Sequence, residues 1–209
     1  MEKIDRIFYI NLKHRVDRKE HIEKEIRKID PDLKKTERFE AVYHDIGGIG
    51  CGLSHIKVLE KSIESGYENI IVFEDDFKFL VDTNLFENKL KKLFECDKDY
   101  NICMLSRYII EHNKINEDIS EVIYGKNVSG VLINTRFFQT LKNNFEESVE
   151  ELKKGNMSNK RGYACKNEFA IDENWKKLQG IEKKFYTFNI PLGSQIESYS
   201  DIVNQNVDY

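Results

Sequence analysis

The sequence predicts an α/β fold built around a central, mostly parallel sheet. Three observations carry that prediction. Short apolar, β-branched runs alternate with amphipathic helical stretches along the chain. The run Ile70-Ile71-Val72-Phe73 has no polar face, as suits a strand covered on both sides. Three acids, Glu74-Asp75-Asp76, follow it directly, at the carboxyl end where such sheets bind ligands. The 209 residues suit a single domain over 1–209.

Ile4 to Leu12 reads as the first buried strand. Arg15 to Ile29 reads as a helix, with Ile22, Ile26 and Ile29 at helical spacing, Asp17 placed as its N-cap and Asp30-Pro31-Asp32 as its stop. Thr36 to Val42 is a second short strand. Gly47 to Gly52 then reads as a flexible entry to a helix over Leu53 to Ser65, with Leu53, Ile56, Leu59 and Ile63 on one stripe and Gly66 ending it. After the Asn69 to Phe73 strand come a helix over Leu85 to Phe94 and a buried strand at Ile102 to Leu105. Val122 to Tyr124 and Val128 to Asn134 predict a hairpin or paired strands around Gly125-Lys126. Phe137 to Phe145 is helical, and Lys153 to Gly162 a polar, mobile loop. Ile171 to Leu178 is a short helix, and Lys184 to Phe188 a last strand. Gly193 to Tyr209 shows no periodicity, and the chain shows no internal repeat.

A formal net charge of −4 argues against an overall basic nucleic-acid binder. No run of about 18 apolar residues predicts a membrane span. The start Met1-Glu2-Lys3-Ile4-Asp5 lacks signal-peptide character, so the expected compartment is the cytoplasm, of a bacterium or of an infected host. Four cysteines, at 51, 96, 103 and 165, lack CxxC spacing and predict reduced thiols rather than a zinc site. The five histidines are scattered and form no metal-spaced set.

The acid cluster is the sharpest chemical feature. Three carboxylates at one sheet edge repel one another unless a cation neutralises them, and hard oxygen ligands suit Mg²⁺ or Mn²⁺. Alone, such a junction is often a solvated turn. Asn11-Leu12, with Arg15 and Arg18, lies at the carboxyl end of the first strand, where the guanidinium groups would meet phosphates or pair with acids. Ser54-His55 is placed at a helix start, whose free N–H groups favour an anion. Asp172 and Glu173 precede Trp175 and are candidate general bases. Gln195, Ser200 and Asp201 lie in the irregular tail, as site-lining or turn-capping residues.

Taken in order, these pieces resemble glycosyltransferase family 25. The matching residues are Ile10-Asn11-Leu12 with Arg15, Asp17 and Arg18; Gly50-Cys51-Gly52-Leu53-Ser54-His55; Ile71-Val72-Phe73-Glu74-Asp75-Asp76; Gly130 to Asn134; Ile171-Asp172 with Trp175; Phe185-Tyr186; and Pro191-Leu192 with Gln195 and Ser200-Asp201-Ile202. The resemblance runs almost end to end. It implies a GT-A-like, Rossmann-type sandwich, a UDP-sugar donor, a divalent cation (Mn²⁺ or Mg²⁺) and inversion at the anomeric carbon. It makes Glu74, Asp75 and Asp76 the family's metal motif, with Asp76 the principal ligand and Glu74 directed alternatively to ribose or water. Asn11, Leu12, Arg15, Arg18, Ser54, His55, Glu74, Asp75, Gln195, Ser200 and Asp201 become donor-binding candidates, with Asp172 as base and Glu173 second. Ser106-Arg107 departs from the family pattern. The expected reaction moves a hexose, galactose or glucose, to a glycan or hydroxylysine-type acceptor. Two other classes compete: a catalytically degenerate nucleotide-sugar or glycan-binding module, and another divalent-metal phosphotransfer or hydrolytic enzyme.

Overall fold

Alternate residues of a strand point to opposite faces, so a strand apolar at every position needs a helical layer on each side. The structure meets that demand. The computed structural model describes residues 1–106, 108–154, 168–200 and 205–207. Its elements are β1 (Arg6–Asn11), α1 (Val16–Ile26), β2 (Thr36–Glu40), α2 (Gly47–Glu64), β3 (Asn69–Glu74), β4 (Phe77–Phe79) and α3 (Thr83–Cys96). Then come β5 (Ile102–Met104), β6 (Tyr108–Lys114), β7 (Ile119–Lys126), β8 (Gly130–Asn134), α4 (Thr135–Lys154), α5 (Ile171–Asn174) and α6 (Lys176–Glu182). The last are β9 (Phe185–Phe188), β10 (Gly193–Gln195), β11 (Ser198–Ser200) and β12 (Gln205–Val207).

The central sheet has 8 strands in the order β2-β1-β3-β8-β5-β9-β7-β6. β1 pairs in parallel with β2 and β3, and β5 with β9. β8 runs antiparallel between β3 and β5, and β7 antiparallel between β9 and β6. β2, β1, β3, β5, β9 and β6 therefore point one way, against β8 and β7, and the architecture is the expected GT-A-like α/β sandwich. On one face Phe8, Ile70, Val72, Ile133 and Phe185 pack with Ile56 and Leu59 of α2 and Phe138, Leu141 and Phe145 of α4. On the other, Ile7, Ile71, Phe73, Cys103 and Leu132 pack with Ile22 and Ile26 of α1 and Phe86, Leu90 and Leu93 of α3. Each such side chain contributes about 1.5–3 kcal/mol by leaving water.

Four expectations are corrected. Residues 47–52 are not a flexible entry but the first turns of α2. Their glycines serve close packing: a Cβ on Gly50 would sit 2.6 Å from the Val42 carbonyl oxygen, and one on Gly52 2.6 Å from Val149 Cγ2 on α4. The pairing around Gly125-Lys126 does not form. β7 pairs with β6 and β9, while β8 is inserted between β3 and β5. Asp17 does not cap α1. The N-cap is Arg15, and Asp17 sits in the first turn, ion-paired to Arg15 at 2.8 Å, which holds its carboxyl down at about 2. Ile63 leaves the buried stripe of α2, and Ser62 and Val58 take its place. Gly66 does end α2, at φ +67, with Tyr67 N–H donating to the Ser62 carbonyl. Arg107, residues 155–162 of the expected polar loop, Cys165 and Asp201 lie outside the described residues, and only the backbone of Ser200 is described.

The close approach at Gly50 gives a test. Gly50→Ala gains roughly 1 kcal/mol of helix propensity. It loses more, because a backbone carbonyl cannot rotate aside, and a net loss of about 1–2 kcal/mol follows. Denaturant midpoints measure it; an unchanged or raised midpoint would contradict the packing described for α2.

Candidate functional site

The chain leaves β1, crosses to β2 on one side and returns to β3 on the other. That opens a crevice between the carboxyl ends of β1 and β3. Asn11 closes β1 and Glu74 closes β3, so the acids lie at this switch point. β8 runs antiparallel, which brings its amino end to the same edge: Glu74 N–H donates to the Ser129 carbonyl at 2.8 Å. The turn after the acids is clamped by Phe77. Its ring fills the space a Cβ would need on Gly130 (2.5 Å) and on Gly193 (2.1 Å), and it stacks 4.4 Å from Phe73.

The three acids have three different environments. Asp75 is buried and both oxygens are engaged: Oδ2 accepts from Asn11 Nδ2 at 2.7 Å and Oδ1 from Arg18 Nη1 at 2.9 Å. Arg38 Nε donates to Asn11 Oδ1 at 3.1 Å, which fixes the amide with its nitrogen toward Asp75. Burial pushes Asp75 up in pKa against the pull of Arg18 and Asn11. Glu74 turns the other way, to His55 Nε2 at 3.3 Å and Cys51 Sγ at 3.5 Å. Burial alone would raise its carboxyl, but His55, then Cys51 and Arg18, hold it below the usual range.

Asp76 is 5% exposed. Its Oδ2 accepts from Gln195 Nε2 at 3.1 Å and faces Arg18 Nη1 at 3.5 Å. Its Oδ1 is buried with no hydrogen-bond partner among the described residues. Burial and the nearby charges of Glu74 and Asp75 push Asp76 up to about 7, against Arg18 and Gln195. A buried carboxylate oxygen lacking a donor is costly unless a proton or a cation satisfies it. The residues therefore fit a hard divalent cation at Asp76, with Oδ1 as the ligand atom. Asp75, with both oxygens committed, holds Arg18 and Asn11 in place.

The sequence candidates divide as follows. Asn11, Arg18, Glu74, Asp75, Asp76, His55 and Gln195 are brought together. Arg15 joins their edge, donating from Nη1 to the Tyr199 carbonyl at 3.2 Å, to which Arg18 Nη2 also donates at 2.8 Å. Leu12 contributes its carbonyl to the Arg15 N–H. Ser54 is corrected: it lies in the interior of α2, fully buried, donating to the Gly50 carbonyl and accepting the Val42 N–H. It braces the glycine contact, and no helix N-terminus is available beside His55. Asp172, at the start of α5, is pushed up to about 6 by burial and by Glu173 and Glu74, against Lys126. Ile171 Cγ2 lies 3.2 Å from where a Cβ on Gly52 would sit, so α5 starts beside the turn of α2 that carries Cys51 to Glu74. Glu173 is corrected as a base: it is ion-paired to Lys126 at 2.9 Å and to Lys176, which outweigh its burial and hold its carboxyl down.

Two participants escaped the sequence reading. Cys51 reaches Glu74 because α2 begins earlier than expected, so Cys51 and His55 are one turn apart. Asn127, at φ +92, has its side chain between Gln195 and Ser129: Nδ2 donates to Gln195 Oε1 at 2.7 Å, and Oδ1 accepts the Ser129 N–H at 2.7 Å. It thereby sets the Gln195 amide with its nitrogen toward Asp76. Asn127→Gly keeps the backbone conformation and removes that hold. A divalent cation held at Asp76 would then bind roughly 10-fold more weakly, as for other residues that orient a ligand; an Mn²⁺ affinity equal to that of the unmutated chain would remove Asn127 from the site.

A profile of glycosyltransferase family 25 (LPS biosynthesis protein) matches residues 45–172, which include α2, the acids and Asp172. The chain belongs to glycosyltransferase family 25. As a family member it is a transferase. Several solved structures are similar to this family 25 chain at low sequence identity. Mannose-1-phosphate geranyltransferase from Thermus thermophilus is 9% identical, with TM-score 0.50 over 89% of this chain and 73% of that one. UDP-glucose pyrophosphorylase complexed with UDP-glucose is 11% identical, with TM-score 0.47 over 88% and 73%. A glycosyltransferase involved in the glycosylation of the major capsid of PBCV-1 is 8% identical, with TM-score 0.42 over 88% and 91%. Among the described residues, no helix is long and apolar enough to cross a membrane.

Proposed function

We propose that this family 25 transferase is an inverting, divalent-metal-dependent hexosyltransferase. In this reading, one domain moves galactose or glucose from a UDP-sugar to a glycan or hydroxylysine-type acceptor in the cytoplasm. The observation that carries the metal reading is the buried, unsatisfied Oδ1 of Asp76 at the carboxyl end of β3. Asp76 would hold a Mn²⁺ or Mg²⁺ ion, which would supply electrostatic stabilisation of the departing nucleoside diphosphate. Arg18 and Asn11 orient the acidic edge through Asp75, and Gln195 holds Asp76 Oδ2 so that Oδ1 stays available. Arg15 and Arg18 bring positive charge to the crevice mouth, where a diphosphate would enter. Asp172, on the acids' side and ionised above pH of about 6, accepts the acceptor hydroxyl proton at its carboxylate.

A donor screen tests this reading: incubate the chain with Mn²⁺ and each of a panel of UDP-sugars, and measure free UDP. Metal-dependent UDP release from UDP-galactose or UDP-glucose is expected. Release that ignores metal, or none with any UDP-sugar while another nucleotide-sugar is consumed, would overturn it.

A further inference from the structure

Glu74 faces away from Asp76, toward a thiol and an imidazole. Cys51 and His55 lie four residues apart on α2, so both project from one helical face. That face meets the carboxyl end of β3. Glu74 Oε1 is 3.5 Å from Cys51 Sγ and 3.3 Å from His55 Nε2, and the three ligand atoms lie within 4.8 Å of one another. His55 is 3% exposed, and its ring packs edge-on to Phe145 at 5.9 Å, which limits its rotation. Cys51 is partly exposed.

We propose that Cys51, His55 and Glu74 form a second cation site, for a thiophilic divalent ion such as Zn²⁺, distinct from the hard-oxygen position at Asp76. The donor set is sulfur, nitrogen and oxygen, the mixture that tetrahedral zinc takes and that manganese and magnesium do not favour. Bonds of about 2.0–2.3 Å to a tetrahedral ion place ligand atoms about 3.3–3.8 Å apart. The two separations to Glu74 Oε1 fall in that range, and the third pair of ligand atoms lies within 4.8 Å. Three protein ligands leave a fourth position for water or a solute group. Binding replaces the Cys51 thiol proton, which goes to solvent, with a sulfur–metal bond. CxxC spacing did not announce this site because one ligand comes from a strand end and the other two from a helix whose start the sequence obscured.

The site is tested without any sugar donor, so its outcome is independent of the transferase reading. Metal-free protein is titrated with Co²⁺ while the thiolate-to-cobalt charge-transfer absorbance is followed. One equivalent should saturate the band, Zn²⁺ should bleach it, and excess Mn²⁺ should not. Cys51→Ser should abolish the band and His55→Gln should weaken binding at least tenfold. Asp76→Asn, and Cys96→Ser combined with Cys165→Ser, should retain it. Independently, Zn²⁺ should protect Cys51 of the unmutated chain from alkylation, read by peptide mass; this arm needs no variant to fold. Absence of the band with folded protein, its survival in Cys51→Ser, its loss to Mn²⁺, or unprotected Cys51 would each overturn the proposal.

Discussion

Asp76→Asn should lower sugar transfer by roughly 10³-fold at saturating Mn²⁺ while making the metal-free protein more stable. The first effect follows from losing the carboxylate whose buried Oδ1 would hold the proposed cation, since charge stabilisation at the leaving group carries several kcal/mol of a transfer barrier. The second follows from the electrostatics. Asp76 is buried beside Glu74 and Asp75 and is pushed up to about 7, above its unfolded value of about 3.9. A carboxylate with a raised folded pKa binds more protons folded than unfolded. Its penalty on stability is full above about pH 7, shrinks as pH falls, and is gone below the unfolded pKa. The metal-free protein should thus gain stability from pH 8 to pH 5, with Asp172 adding in the same direction through its shift to about 6. Asp76→Asn should flatten that slope, and added Mn²⁺ should flatten it in the unmutated chain. Turnover and thermal melting on the same preparations check both halves. Near-normal transfer, or a lower melting temperature for Asp76→Asn across pH 7–8, would remove Asp76 from the metal position.

Asp172→Asn should reduce kcat by about 10²–10⁴-fold and leave the donor KM within a few-fold. The amide preserves the size and polarity of the side chain, so folding and donor binding are retained while proton acceptance is lost. The pH profile gives a second readout. A base pushed up to about 6 must be ionised to act, so kcat/KM should fall with a unit slope as pH drops below about 6. That acidic limb should disappear from the residual activity of Asp172→Asn. Glu173→Gln is the comparison. Glu173 is committed to Lys126 and Lys176, so its loss should disturb α5 and α6 locally and leave the acidic limb in place. An unchanged kcat for Asp172→Asn, or a limb that vanishes with Glu173→Gln instead, would reassign the base.

What was legible in the sequence follows from where each signal is stored. β1, β3 and β5 are apolar on both faces, and that alone marks them as buried central strands. β6 was missed because Tyr108–Lys114 is mostly exposed and shows no alternation. The pairing of β8 was misjudged because nearness in sequence favours a hairpin, whereas its partners are β3 and β5. The glycines of α2 read as a loop because each costs a helix roughly 1 kcal/mol relative to alanine. Their packing against Val42 and Val149 is a tertiary fact that no local pattern records. In the site, the acids were visible as a cluster, but their division of labour was not. That division depends on single residues far away in sequence: Asn11 and Arg18 for Asp75, Cys51 and His55 for Glu74, Gln195 and Asn127 for Asp76.

The ribbon of β4 and β10 has a thermodynamic consequence. It holds Gln195 against Asp76 through three residue pairs, Gly193 to Phe79, Ser194 to Lys78 and Gln195 to Phe77, flanked by the Leu80 N–H to the Leu192 carbonyl and the Ile196 N–H to the Asp76 carbonyl. A unit that small opens far more readily than the eight-stranded sheet behind it. Each opening would withdraw Gln195 from the carboxylate, so a cation bound at Asp76 would show its intrinsic affinity scaled by the closed fraction. Such a cation would in turn favour closure, and slower amide exchange along Gly193–Gln195 on adding Mn²⁺ would report it.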